Sequence, residues 1–135
     1  MKYAPVLRVL LVACINVIVL LFIQPALSQV TAVSVIPGYI CMEQDKADDR
    51  SPTLDNFPPV YKSSRPDAPQ FGVAAGIILA TNPPRVENGR RQILRIDGST
   101  AWVDVGFLRP WVGRTPEKRC TPVILSNGRR GEDIR

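Results

Sequence analysis

An all-β domain, five or six short strands on a small barrel, is the fold this sequence predicts, and three observations predict it. No segment beyond residue 28 sustains a helical period. Apolar runs of strand length are separated by turns rich in Gly, Pro and Asn. The 13 prolines are scattered along the chain, so no long helix finds an uninterrupted stretch.

The chain of 135 residues allows one domain at most, and its N-terminus claims part of that length. Lys2 and Arg8 precede a nearly unbroken apolar run, Val9 to Ile23, and Ala26 and Ser28 stand at the small-residue positions of a signal-peptidase site. Residues 1–28 therefore read as a secretory signal cut after Ser28. A membrane span needs about 20 apolar residues, more than this run offers, so no span is expected in the mature chain. Two alternatives are a retained membrane anchor and a lipoprotein attachment at Cys14, where LVAC has the look of a lipobox.

Gln29 to Pro37 reads as an extended lead-in, and GYICME (38–43) as a short alternating strand. The polar, acidic stretch 44–59 has no period and reads as a loop. A brief strand at Val60–Lys62 follows, then a loop with two prolines and a return at Phe71. VAAGIILA (73–80) is a continuous apolar run bent at Gly76, and the register there decides which of Ile77, Ile78 and Leu79 face inward. RQILRI (91–96), the turn DGST and AWVDV form a hairpin. GFLRPW closes as a helical turn or a last strand, TPVILS makes one more strand, and NGRRGEDIR reads as a frayed tail. The organisation is thus a signal (1–28), a lead-in strand and polar loop (29–59), a core with its closing strand (60–125) and a flexible tail (126–135).

Loss of the signal removes Cys14 and leaves Cys41 and Cys120, an even pair in an oxidising compartment with one possible pairing. Without a C-x-x-C spacing, the pair reads as a structural clasp and not a redox site. The mature chain keeps 15 basic and 12 acidic residues, a net charge of +3, and 11 of the 15 lie beyond residue 84. That half suits an anionic envelope polymer or an ordinary solubilised surface. A nucleic-acid role sits poorly with export.

Val60-Tyr61, FGVAAGIILA, the turn ENGR and ILRIDGSTAWVDVGFLRPW together resemble a bacterial SH3-like domain over about residues 60 to 111. The family's Gly-Trp-Val element after a Gly-bearing hairpin becomes Gly98 followed by Ala101-Trp102-Val103, with Ala101 where Gly is usual, and Leu108 closes the domain. The resemblance implies a partly open barrel that binds peptides, cell-wall material or protein partners without chemistry of its own. Small exported SH3-like proteins of Gram-negative bacteria are similar in this respect, and wall-hydrolase relatives of the fold often target peptidoglycan.

The residues themselves leave little room for catalysis. No His is present, which removes Ser-His-Asp and Cys-His nucleophilic sites and His-ligated zinc. Asp45, Asp48 and Asp49 lack the Gly and the terminal Glu of a calcium loop. No cofactor or metal is expected, and the chain does not read as an enzyme. The aromatic residues remain. Alternation puts Ala101 and Val103 on one side of their strand and Thr100, Trp102 and Asp104 on the other. In the preceding strand Leu94 and Ile96 are then expected to point in, and Ile93 and Arg95 out. Trp102 either closes the barrel end or lines a shallow groove with Tyr61, Arg95 and Asp104 that takes a Pro-rich or sugar-peptide ligand. Three functions follow from this reading: a periplasmic or secreted module binding peptidoglycan or an envelope protein segment, an assembly subunit of an envelope complex, and an enzyme inhibitor using loop 44–59.

Overall fold

Short strands joined by tight turns dominate a computed structural model, which describes residues 29–45 and 56–135. The signal reading of residues 1–28 and most of the 44–59 loop, with Asp48 and Asp49, lie outside the described residues. Eleven strands form among the residues described: β1 (Ala32–Val35), β2 (Tyr39–Gln44), β3 (Pro59–Tyr61), β4 (Gln70–Val73), β5 (Ile77–Thr81), β6 (Val86–Glu87), β7 (Arg90–Leu94), β8 (Thr100–Asp104), β9 (Leu108–Pro110), β10 (Cys120–Leu125) and β11 (Arg130–Ile134). A 3-10 turn at Val105–Phe107 links β8 to β9, so GFLRPW is both a helical turn and a strand.

The fold is all-β and antiparallel throughout; no closed barrel forms among the described residues, and the strands outnumber the five or six expected of a partly open one. The main sheet runs β4-β3-β8-β7-β5-β2-β9, with β6 paired to β7, and its terminal strands β4 and β9 are not joined. A second sheet, β1-β10-β11, joins the expected TPVILS strand, β10, to two strands, β1 and β11, that carry no clear burial pattern in the sequence. Every residue of β1 is exposed. The segment 126–135, read as a flexible tail, is corrected: its residues 130–134 pair along β10 from Ile124↔Arg130 to Cys120↔Ile134. Main-chain pairing organises these residues without burying most of their side chains, which is why no hydrophobic period marks them.

Alternation along the paired strands separates two faces. Ile40, Met42, Ile78, Ala80, Ile93, Ala101 and Val103 pack on one face, with Val60 and Ala74 completing the cluster. Ile78 therefore answers the question of the register after Gly76, with Ile77 and Leu79 on the opposite face. The hairpin requires a correction. Ile93 is in the core at 4% exposure and Ile96 is outside at 49%, the reverse of the expected assignment. A four-residue turn DGST would have set Ile96 opposite Ala101. Instead Arg95 N–H bonds to the Ser99 carbonyl and Gly98 N–H to the Arg95 carbonyl, leaving a three-residue loop. Ala101 thus pairs with Ile93 in place of Ile96, and a slip by an odd number of positions turns each side chain to the other face of the sheet.

Gly98 makes that loop possible, with φ at +86°. It also permits a close approach, since a Cβ there would lie 2.7 Å from the Arg130 guanidinium carbon. At this point the sheets touch: Arg130 N–H bonds to the Ile96 carbonyl at 2.9 Å. At the other end the expected Cys41–Cys120 disulfide joins β2 to β10 across 79 positions of sequence. The sheets are thus held at two points.

Candidate functional site

The face opposite the core collects aromatic rings and charged side chains. Tyr61 on β3 stands directly opposite Trp102 on β8, and Gln92 on β7 flanks Trp102 on its other side. One strand position further, Arg90 opposes Asp104, and their side chains form an ion pair at 3.1 Å. Arg90 enters β7 straight from a two-residue turn, Asn88–Gly89, whose φ values of +50° and +74° suit the tight hairpins favoured by the twist of two strands.

Arg90 holds this corner together. Its guanidinium carbon lies 3.5 Å from the centre of the Tyr61 ring, and its Nη1 donates to the carbonyls of Ser63 and Arg65 at 3.3 and 2.6 Å. With its side chain 9% exposed, Arg90 fixes both the ring and the 63–65 loop. Replacing it with Leu leaves two carbonyls without their donor and is expected to destabilise the fold by about 2–3 kcal/mol. Asp104 is 38% exposed, so Asp104→Asn should cost below about 1 kcal/mol because water and salt screen its share of the pair. Urea unfolding of the two variants checks this asymmetry.

Arg85 lies over Trp102, with its guanidinium carbon 5.4 Å from the ring centre. It is anchored by Glu87 at 3.0 Å, and the second oxygen of Glu87 accepts from the Ser64 hydroxyl at 2.8 Å. The Ser64 bond, then Arg85, hold the Glu87 carboxyl below its ordinary range. The Arg85–Glu87 pair is itself exposed, at 59% and 43%. Trp102 beneath it is only 7% exposed. The result is a buried indole under the loosely held Arg85 and, beside it, a half-buried phenol under the fixed Arg90.

Of the four residues expected at a groove, Tyr61, Trp102 and Asp104 meet and Arg95 does not. Arg95 follows the parity of Ile93 and stacks on Phe71 at 4.8 Å, with Asp97 at 3.3 Å. The Ser99 hydroxyl and N–H in turn hold the Asp97 carboxyl below its ordinary range. The cations that join the rings are Arg85 and Arg90, which sequence reading missed. The signal was present in the register: with Ile93 facing in, Arg90 falls on the side of Asp104.

Such a face can recognise flat or planar groups by stacking, and carboxylates through Arg85. It holds no paired nucleophile and base. Among the described residues no three acidic or Cys side chains gather where a metal could sit, and no helix is long and apolar enough to cross a membrane. No family model, curated protein or solved structure matches this chain.

Proposed function

We propose that the chain is an exported, non-catalytic binding module, SH3-like in its strand arrangement, that recognises peptidoglycan or a segment of an envelope protein. The observation that carries this reading is Trp102 beside Tyr61, with the exposed, weakly held guanidinium of Arg85 over the indole. An exposed ion pair such as Arg85–Glu87 contributes at most about 1 kcal/mol, so a ligand stacking beside Trp102 can draw Arg85 from Glu87 onto its own carboxylate. Aromatic surfaces favour rigid, preformed shapes such as sugar rings and Pro-rich segments. Export is supported by the pattern of residues 1–28 and by the Cys41–Cys120 bond.

Co-sedimentation of the secreted, oxidised protein with purified sacculi tests the proposal, at low and at raised salt. Tyr61→Ala and Arg85→Ala are the informative variants, because Trp102 supports the fold. Salt-resistant pelleting that drops at least about tenfold in the folded variants is the expected result; adhesion through the Arg-rich half would instead fade with salt. Failure to pellet in any buffer would remove peptidoglycan as the ligand.

A second reading, an assembly subunit of an envelope complex, rests on the outer edge of β1. β11 bears Arg130, Glu132 and Asp133, β9 bears Arg109 and Pro110, and Pro69 precedes β4. Charges and prolines of this kind discourage edge pairing. No charge or proline guards β1 from Gln29 to Ile36. Under this reading Tyr61→Ala and Arg85→Ala leave assembly intact.

A further inference from the structure

Among the described residues, none fills the main sheet at the end where the β4–β5 connection approaches the β7–β8 hairpin. A cleft of about 490 Å³ opens there, walled by Val60, Ala74, Ile78 and Ile93 of the core cluster. Its lip is Ala74-Ala75-Gly76, three small residues where one large side chain would have plugged the opening. Interiors are close-packed because an unfilled space deprives its walls of dispersion contacts. A small core that leaves space of this size against its own buried residues matches the volume and lining of a small-molecule site.

The charged residues that line the cleft are Arg95, Arg130 and Glu132. Arg95 is engaged by Asp97. The Arg130 guanidinium donates to the Gly128 carbonyl at 2.9 Å and, among the described residues, has no carboxylate partner. With Asp97 on Arg95, two guanidiniums stand against two carboxylates, and Arg130 is the one with donors to spare for an anionic head.

We propose that this cleft takes the alkyl tail of a free single-chain amphiphile, with its carboxylate head held by Arg130. The site is separate from the Tyr61–Trp102 face and goes beyond the function proposed there.

Titration calorimetry of the secreted protein with octanoate, decanoate and dodecanoate, below their micelle concentrations, tests the proposal. One-to-one saturable binding is expected, tightening by about three- to fourfold for each methylene added as the tail leaves water. Arg130→Gln should weaken dodecanoate about tenfold through loss of a charge-assisted bond, and Glu132→Gln should tighten it. Ala75→Trp, at an exposed lip position, should abolish binding while the circular dichroism stays native. Tyr61→Ala should leave binding unchanged, which separates a failure here from a failure of the envelope-binding reading. The proposal is overturned if dodecyltrimethylammonium binds as tightly as dodecanoate, if Ala75→Trp still binds, or if no saturable binding occurs. Pelleting with phosphatidylglycerol vesicles without uptake of monomeric dodecanoate would overturn it too, since the tail would then belong to a bilayer. Should Arg130→Gln fail to fold, the comparison of head groups and Glu132→Gln still decide.

Discussion

Replacing Cys41 and Cys120 together with Ser is expected to cost about 4 kcal/mol of stability. The bond closes a loop of 79 positions, and in the chain-entropy view a loop of that length removes roughly 4–5 kcal/mol of freedom from the unfolded chain. The tertiary structure gives the loss a direction. Cys120 begins β10, the central strand of the small sheet, and Cys41 lies within β2 of the main one. Away from the bond, the sheets meet mainly where Arg130 crosses Gly98 and bonds to Ile96. Opening the disulfide should therefore free β1, β10 and β11 before the main sheet melts. Hydrogen exchange on the double variant reads this order: protection should fall first across 120–134 and last in β5, β7 and β8. A drop below about 1 kcal/mol in urea unfolding would mean that the two sheets hold each other without the bond.

Trp102→Ala is expected to destabilise the fold by about 3–5 kcal/mol, as large aromatic truncations in a packed site do. The ring is nearly enclosed, beside Tyr61 and Gln92 and beneath Arg85, so its removal leaves a void and not a smoother surface. Trp102→Phe should cost far less. This separates two meanings of lost binding: a Trp102→Ala protein that no longer binds its ligand has lost its fold's support, while a folded Tyr61→Ala or Arg85→Ala protein has lost contacts. Thermal unfolding followed by circular dichroism is the check. A loss smaller than about 1 kcal/mol would show that the ring packs loosely in solution and offers its own face to a ligand.

How far the candidate site was legible follows from particular residues. Ala101 and Val103 declared their inward face by alternation alone, because a strand buried on one side needs apolar residues at every second position. That placed Trp102 and Asp104 correctly on the other face. Whether Trp102 was covered there could not be read, because its cover comes from Arg85, 17 positions earlier, on a loop held in place by Thr81 and Glu87. A four-residue turn brings Arg95 to the side of Trp102, whereas the three-residue loop brings Arg90 there. Both lengths suit Asp-Gly, and only the closed hydrogen bonds between Arg95 and Ser99 distinguish them.

Local chemistry is what the sequence by itself determined: an all-β chain, turns at Asn88-Gly89 and Asp97-Gly98, the Cys41–Cys120 pairing, and the inward side of β8. Each depends on neighbours in the chain, or in the cysteine case on a count that leaves no choice. Only the tertiary structure decided the second sheet, the open main sheet, the stacking of Arg85 and Arg90 on their rings, and the cleft beside Arg130. These rest on strands distant in sequence coming together. β1 and β11 are held by main-chain hydrogen bonds that any residue but proline can make, so their side chains carry almost no trace of the pairing.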